Sequence, residues 1–184
     1  MHRWKPGIAI VFILGSLLVA GCSKPEPQDE NIEVIKTVLE IDLNAPDEEA
    51  IRLQEEPYKS KEAEEAGEGF LEEYYKYQKE TYKPYFTESG FEQFVMTNQA
   101  FMFHRRADQH GYQLEVKNIE VEQNEVTPTN YNFTVTLDYE MKDEDKKEIE
   151  MSGIAIVRDG KVAKITYHIR NHDELKNLLY GEQK

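Results

Sequence analysis

The segment Tyr131–Met141, YNFTVTLDYEM, alternates without a break. Tyr131, Phe133, Val135, Leu137, Tyr139 and Met141 fall on one side, and Asn132, Thr134, Thr136, Asp138 and Glu140 on the other. A period of two predicts an extended strand with one buried and one wet face, the pattern of an antiparallel sheet rather than of a parallel one buried on both sides. The neighbouring segments follow it. Tyr112, Leu114 and Val116 share a face, and Ile119 and Val121 continue one residue out of step, which predicts a bulge at Lys117–Asn118. A charged turn over Lys142–Lys146 leads to a third strand over Ile149–Val157, a two-residue Asp159–Gly160 hairpin turn and a fourth strand over Val162–Ile169.

Before Gly111 the spacing is helical. Asn31 offers a cap to a helix carrying Ile32, Ile35, Val38 and Leu39 and running to about Leu43. Asn44–Glu49 (NAPDEE) starts a second helix, which Pro57 is expected to end, and Lys59–Gly69 reads as a weakly helical or mobile solvated segment. Phe70–Tyr82 is a tyrosine-rich helix with a Glu72–Lys76 pair on its outer side, stopped by Pro84. Thr87, or alternatively Ser89 with Glu92, caps a helix that buries Phe91, Phe94 and Val95. A bend or second short helix follows through Asn98–Asp108, and Asn171 with Glu174 suggests a short closing helix bearing Leu175, Leu178 and Leu179.

Helices first and a meander afterwards predict an α+β domain, with N-terminal helices packed on a curved four-stranded antiparallel sheet. This order, with the tyrosine-rich helix, the stretch YKPYFTESGFEQF and the DGK hairpin, resembles the nuclear transport factor 2-like fold, the cone shared with cystatin-like domains. The resemblance spans about Ile32 to Ile169. It implies relatives that include ketosteroid-isomerase-like and polyketide-cyclase-like enzymes, small binding domains and extracytoplasmic accessory domains, so function does not follow from the fold.

The amino terminus reads as an address. Arg3 and Lys5 precede an uncharged run, Ile8–Ala20, which is short for a membrane span and is followed by polar SKPEPQDEN rather than a positive flank. The residues LVAGC resemble the lipobox of bacterial lipoproteins. That resemblance implies a diacylglyceryl lipid on Cys22, recognition of Val19, Ala20 and Gly21 by a signal peptidase, and a lipid-anchored protein at the cell membrane, facing outside the cytoplasm. The expected organisation is a cleaved signal peptide at 1–21, a lipidated cysteine and flexible tether at 22–30, and one α+β domain at 31–184. The alternative is that Cys22 ends an uncleaved helix. Cys22 is the only cysteine, so no disulfide braces the domain.

With 36 acidic against 22 basic side chains and a formal net charge of −14, nucleic acid is an unsuitable partner. Catalytic residues are not singled out by any motif. An isomerase-like site needs a carboxylate base and an acidic hydroxyl in an apolar cone; Tyr74, Tyr75, Phe94 and Tyr139 are the candidate pocket residues, Asp138 lies on a polar strand face, and the other carboxylates read as helix exteriors. His104 with Asp108, or His168 with His172, supplies two metal ligands without a third, so neither metal nor other cofactor is expected. His104-Arg105-Arg106 is a basic cluster that reads as pairing with neighbouring glutamates, or as binding a carboxylate or phosphate. The expected function is a non-enzymatic binding or accessory module of the bacterial cell envelope, with an extracytoplasmic protein or small ligand as partner. The alternative is a small isomerase- or cyclase-like enzyme acting on an apolar substrate. An open cone with a buried carboxylate near a tyrosine favours the enzyme, and a filled cone the module.

Overall fold

The computed structural model describes residues 29–59, 63–142, 144–169, 176–177 and 179, with the side chains of 56–70 excepted. The expected signal peptide and lipobox, the expected tether up to residue 28 and most of the expected closing helix, with His172, lie outside the described residues; the last two residues assigned to the tether, Asp29 and Glu30, instead cap and begin the first helix.

The architecture is α+β: helices packed against a curved four-stranded antiparallel sheet. The helices are α1 (Glu30–Leu43), α2 (Glu48–Lys59), α3 (Ala63–Tyr82), α4 (Glu88–Met96) and α5 (Met102–His110); the strands are β1 (Tyr112–Gln123), β2 (Asn130–Met141), β3 (Lys147–Arg158) and β4 (Lys161–Tyr167), paired in sequence order. No helix among the described residues is long and apolar enough to cross a membrane.

The alternation in β2 has its expected result, since Tyr131, Phe133, Val135, Leu137 and Tyr139 are all buried. The register of β1 on β2 shifts between Val116 and Asn118, where the change of phase predicts the bulge. Asp159 and Gly160 both adopt positive φ, 52° and 71°, the left-handed pair that a two-residue hairpin requires.

Several helix boundaries differ from expectation. Asp29, not Asn31, caps α1: its side chain accepts from the Asn31 backbone N–H at 3.0 Å, and the Asn31 amide is occupied in donating to the Tyr131 hydroxyl at 2.8 Å. Asp47 caps α2 by accepting from the Ala50 N–H at 2.8 Å, so Pro46 precedes the helix. Pro57 does not end α2, which runs to Lys59, because a proline in the last turn removes one hydrogen bond without blocking the two residues beyond it. Of the two readings of Lys59–Gly69, weakly helical or mobile, the structure has the helical one from Ala63, where alanine and glutamate outweigh two glycines. Thr87 is the cap of α4, accepting from Gly90 N–H at 3.1 Å. Lys76 reaches forward to Glu80 at 3.8 Å.

The helical layer is stitched to both outer strands. Ala45 and Leu114 exchange backbone hydrogen bonds of 3.0 and 2.8 Å, Asn44 Oδ1 accepts from Val116 N–H at 2.8 Å, and Thr87 N–H donates to the Val162 carbonyl at 3.0 Å.

Candidate functional site

The buried face of α1 comprises Ile35, Val38, Leu39, Asp42 and Leu43, at successive helical spacings. One member of this apolar stripe is a carboxylate. Asp42 is fully buried, and the structure meets its hydrogen-bonding needs with two phenols from elsewhere in the chain. Tyr82, the last residue of α3, donates to Oδ1 at 3.0 Å; Tyr167, the last residue of β4, donates to Oδ2 at 2.6 Å. Tyr82 is itself held, since its oxygen accepts from the Phe101 backbone N–H at 3.4 Å.

Burial pushes the Asp42 carboxyl up to about 7, against the opposing pull of the Tyr167 and Tyr82 hydroxyls and the Arg105 charge. Burial also drives both tyrosines well above their ordinary range, and the carboxylate charge adds to it. Near neutrality the carboxyl is therefore the member of the three that gains or loses a proton, while both phenols keep theirs and donate to it.

Around this group the packing is aromatic. The Phe101 ring lies 5.0 Å from Tyr82, stacks on Tyr77 at 5.4 Å and meets His104 edge-on at 5.2 Å. Phe101 has φ 55°, a left-handed conformation unusual for a bulky residue, in a turn that also contains Asn98 at φ 55°. Arg105 straps that turn, donating to the Ala100 carbonyl at 2.7 Å and the Asn98 carbonyl at 2.6 Å. The expected pairing of this basic cluster with glutamates therefore does not describe Arg105, whose contacts are carbonyls and the Tyr74 hydroxyl at 3.4 Å. His104 is buried and held neutral, its pKa lowered chiefly by burial. With Nε2 facing the Ile41 carbonyl at 2.9 Å, the tautomer that fits carries its proton there, and Nδ1 has no partner. Among the described residues no group of three or more His, Cys, Asp or Glu is arranged to hold a metal.

The four candidate pocket residues do not converge. Tyr74 borders the Asp42 group at one remove, 6.3 Å from Phe101, and buried Phe94 does so at 5.2 Å from Tyr82. Tyr75 is 47% exposed and touches Phe91. Tyr139 belongs to a separate pair, 5.1 Å from Tyr112, with a buried hydroxyl that has no partner. Asp138 lies on the wet face of β2, as its position predicts. Burial acts to raise its pKa, but Lys146 at 3.2 Å and Lys117 at 3.4 Å together hold it low. Val19, Ala20, Gly21 and Cys22 are outside the described residues.

Two clefts lined by described residues open at the surface. One of about 390 Å³ lies between Asn44 and the acidic ends of β1 and β2, and one of about 620 Å³ lies beside the end of α3. Neither includes Asp42, Tyr82 or Tyr167 in its walls.

Sequence reasoning missed the central carboxylate by assigning it to a helix exterior. The signal was present: Asp42 stands four residues after Val38 and seven after Ile35, on the stripe that those residues define.

No protein-family model and no curated protein matches the chain. Partial likeness to solved structures is found. TraH, a candidate transfer protein from the Gram-positive conjugative plasmid pIP501, is 14% identical with a TM-score of 0.46 over 76% of this chain and 92% of its own. A SnoaL-like polyketide cyclase candidate from Jannaschia sp. CCS1 is 12% identical, with a TM-score of 0.39 over 84% and 94%. A polyketide cyclase candidate from Xanthomonas campestris pv. campestris is 15% identical, with a TM-score of 0.32 over 41% and 62%. At these identities and scores none of the three transfers a residue role, an activity or a partner to this chain.

Proposed function

We propose that this chain is a lipid-anchored extracytoplasmic domain, a non-enzymatic binding or accessory module of the bacterial cell envelope that meets a protein or small ligand outside the membrane. The observation that carries the reading is the sealing of the buried carboxyl: Asp42 is 0% exposed and has each oxygen occupied by a phenol. A general base has to reach the proton it removes, within about 3 Å or through one water. With aromatic side chains filling the space around Asp42, the carboxyl acts as a core polar network and offers no seat for substrate. The anchor is supported by the order of charged lead, apolar run and LVAGC in the sequence.

A second reading, a small cone-fold enzyme, is favoured by that same carboxyl and its two phenols, groups suited to proton transfer if a substrate ever displaced the packing. The test is turnover. Protein purified from membranes is screened against apolar ketones and esters beside Asp42→Asn, Tyr82→Phe and Tyr167→Phe. The module reading expects no turnover from any of them. Activity in the parent that vanishes in one variant with an unchanged melting temperature would replace it with the enzyme.

A further inference from the structure

The cleft of about 620 Å³ beside the end of α3 is the site of an unusual concentration of positive charge in this acidic chain. Lys76, Lys79, Lys83 and Lys161 line it, with Glu80 and Glu88 as the only carboxylates in its wall. Lys83 pairs with Glu88 at 2.8 Å and Lys76 with Glu80 at 3.8 Å, whereas exposed Lys79 and Lys161 make no ion pair among the described residues. All three of Lys79, Lys83 and Lys161 act on Glu88, Lys83 most strongly, to hold its carboxyl below the usual range, so their charges converge on one spot. Two positive charges are left over.

The position of this cleft in the fold gives it a meaning. β4 starts at Lys161, directly across the hairpin from Arg158, and β3 there lies beside the start of β2: Asn130 faces Ile156, and Val157 N–H donates to the Thr129 carbonyl at 2.8 Å. The bridge between Phe86 and Val162 brings Lys83 and its neighbours to this same end of the sheet. The start of α1 is there too, because Asp29 and Asn31 both bond the hydroxyl of Tyr131, the second residue of β2. Seven residue steps separate Cys22 from Asp29, a reach of no more than about 25 Å even fully extended. The end of the sheet that bears the lysines is therefore the end that a lipid on Cys22 would keep near the membrane.

We propose that this lysine cleft docks on the phosphate headgroups of anionic phospholipids and orients the domain on the bilayer, an inference that rests on the lipid-anchor reading for its geometry. Charges are screened beyond about 8–10 Å, so a headgroup layer responds to the groups within reach rather than to the net charge of the chain. In the cleft wall those are four lysines against Glu80 and Glu88; exposed Glu122 lies at the same end of the sheet but on β1, the outer strand opposite β4. Tyr75, one helical turn before Lys79 and 47% exposed, adds an aromatic side chain of the kind that favours the headgroup region.

Protein isolated from membranes after expression of the full chain is incorporated into vesicles of phosphatidylcholine alone or mixed with phosphatidylglycerol. Lysines are then acetylated with a water-soluble reagent and read by peptide mass spectrometry. Docking expects acetylation of Lys76, Lys79, Lys83 and Lys161 to fall about threefold or more on the anionic vesicles. High salt should reverse the fall, Lys147 at the opposite end should show no change, and the doubly reversed Lys79→Glu, Lys161→Glu chain should lose protection at Lys76 and Lys83. Equal acetylation on the two vesicle types overturns the proposal. So does protection reproduced by inorganic phosphate on neutral vesicles, which would make the cleft a free-anion site. Failure to float with phosphatidylcholine vesicles would count against the anchor alone; protection on the anionic vesicles, relative to free protein, would still uphold the cleft, and absence of binding to either would overturn both.

Discussion

Asp42 ties the titration of this protein to its stability. Its carboxyl is moved from an ordinary 3.8 to about 7 in the folded chain, so between those values the folded state holds a proton that the unfolded state has released. Stability from this group is present in full below about 3.8 and is lost as pH rises through about 7, by on the order of a few kcal/mol. Urea unfolding at about pH 4.5 and about pH 8 should show the native chain losing stability relative to Asp42→Asn across the interval; parallel behaviour of the two would mean that the carboxyl stays ionised in the core. The helical spacing of α1 contains the information that Asp42 is buried, but the identity of its partners does not lie in any local pattern. Tyr82 is 40 residues away and Tyr167 is 125, and only the closing of the helices over the sheet brings those hydroxyls to one point. The same holds for Tyr75 and Tyr139, whose spacing marks them as aromatic surface on a helix and a strand without saying which rings they meet.

At the level of elements, β2 was the most legible part of the chain, because every second side chain along it enters the core. Leu137 is 0% exposed, so Leu137→Ala should lower the unfolding free energy by about 2–5 kcal/mol, measured by urea melts; a change within error would place that face in solvent. Opposite Phe133, Gly153 leaves the space the ring fills: a Cβ there would come within 2.2 Å of Phe133 Cζ and 2.3 Å of the Thr166 carbonyl. Gly153→Ala should cost about 1–3 kcal/mol by overpacking, with broadened ring resonances of Phe133 as the spectroscopic sign; an unaltered melt would mean that the strands part freely. Helix ends were less legible than strand faces. A cap is chosen by competition: the Asp29 carboxylate accepts from the Asn31 backbone N–H, and the Asn31 side chain instead donates to Tyr131, a residue about one hundred positions later.

For the whole molecule, the fold class was readable from the order of helical and alternating spacing, whereas the activity was not, since a filled core and a substrate-binding cone are written with the same apolar residues. The proposed lipid anchor makes its own prediction. Cys22→Ala should leave an unlipidated precursor that incorporates no labelled fatty acid, and normal processing with labelling would refute the anchor. The stitching of the helical layer to β1 and β4 has a further consequence, for the protein's company with its own kind. An outer strand with unpaired backbone groups invites a second chain to add on, and crowding at a surface favours such encounters. Here Ala45 and Asn44 occupy part of one border and Thr87 part of the other, while the stretch of β1 past the bulge displays the exposed carboxylates of Glu120 and Glu122. Two copies meeting along that stretch would bring like charges together, so many copies can share a small area without growing into one another's sheets.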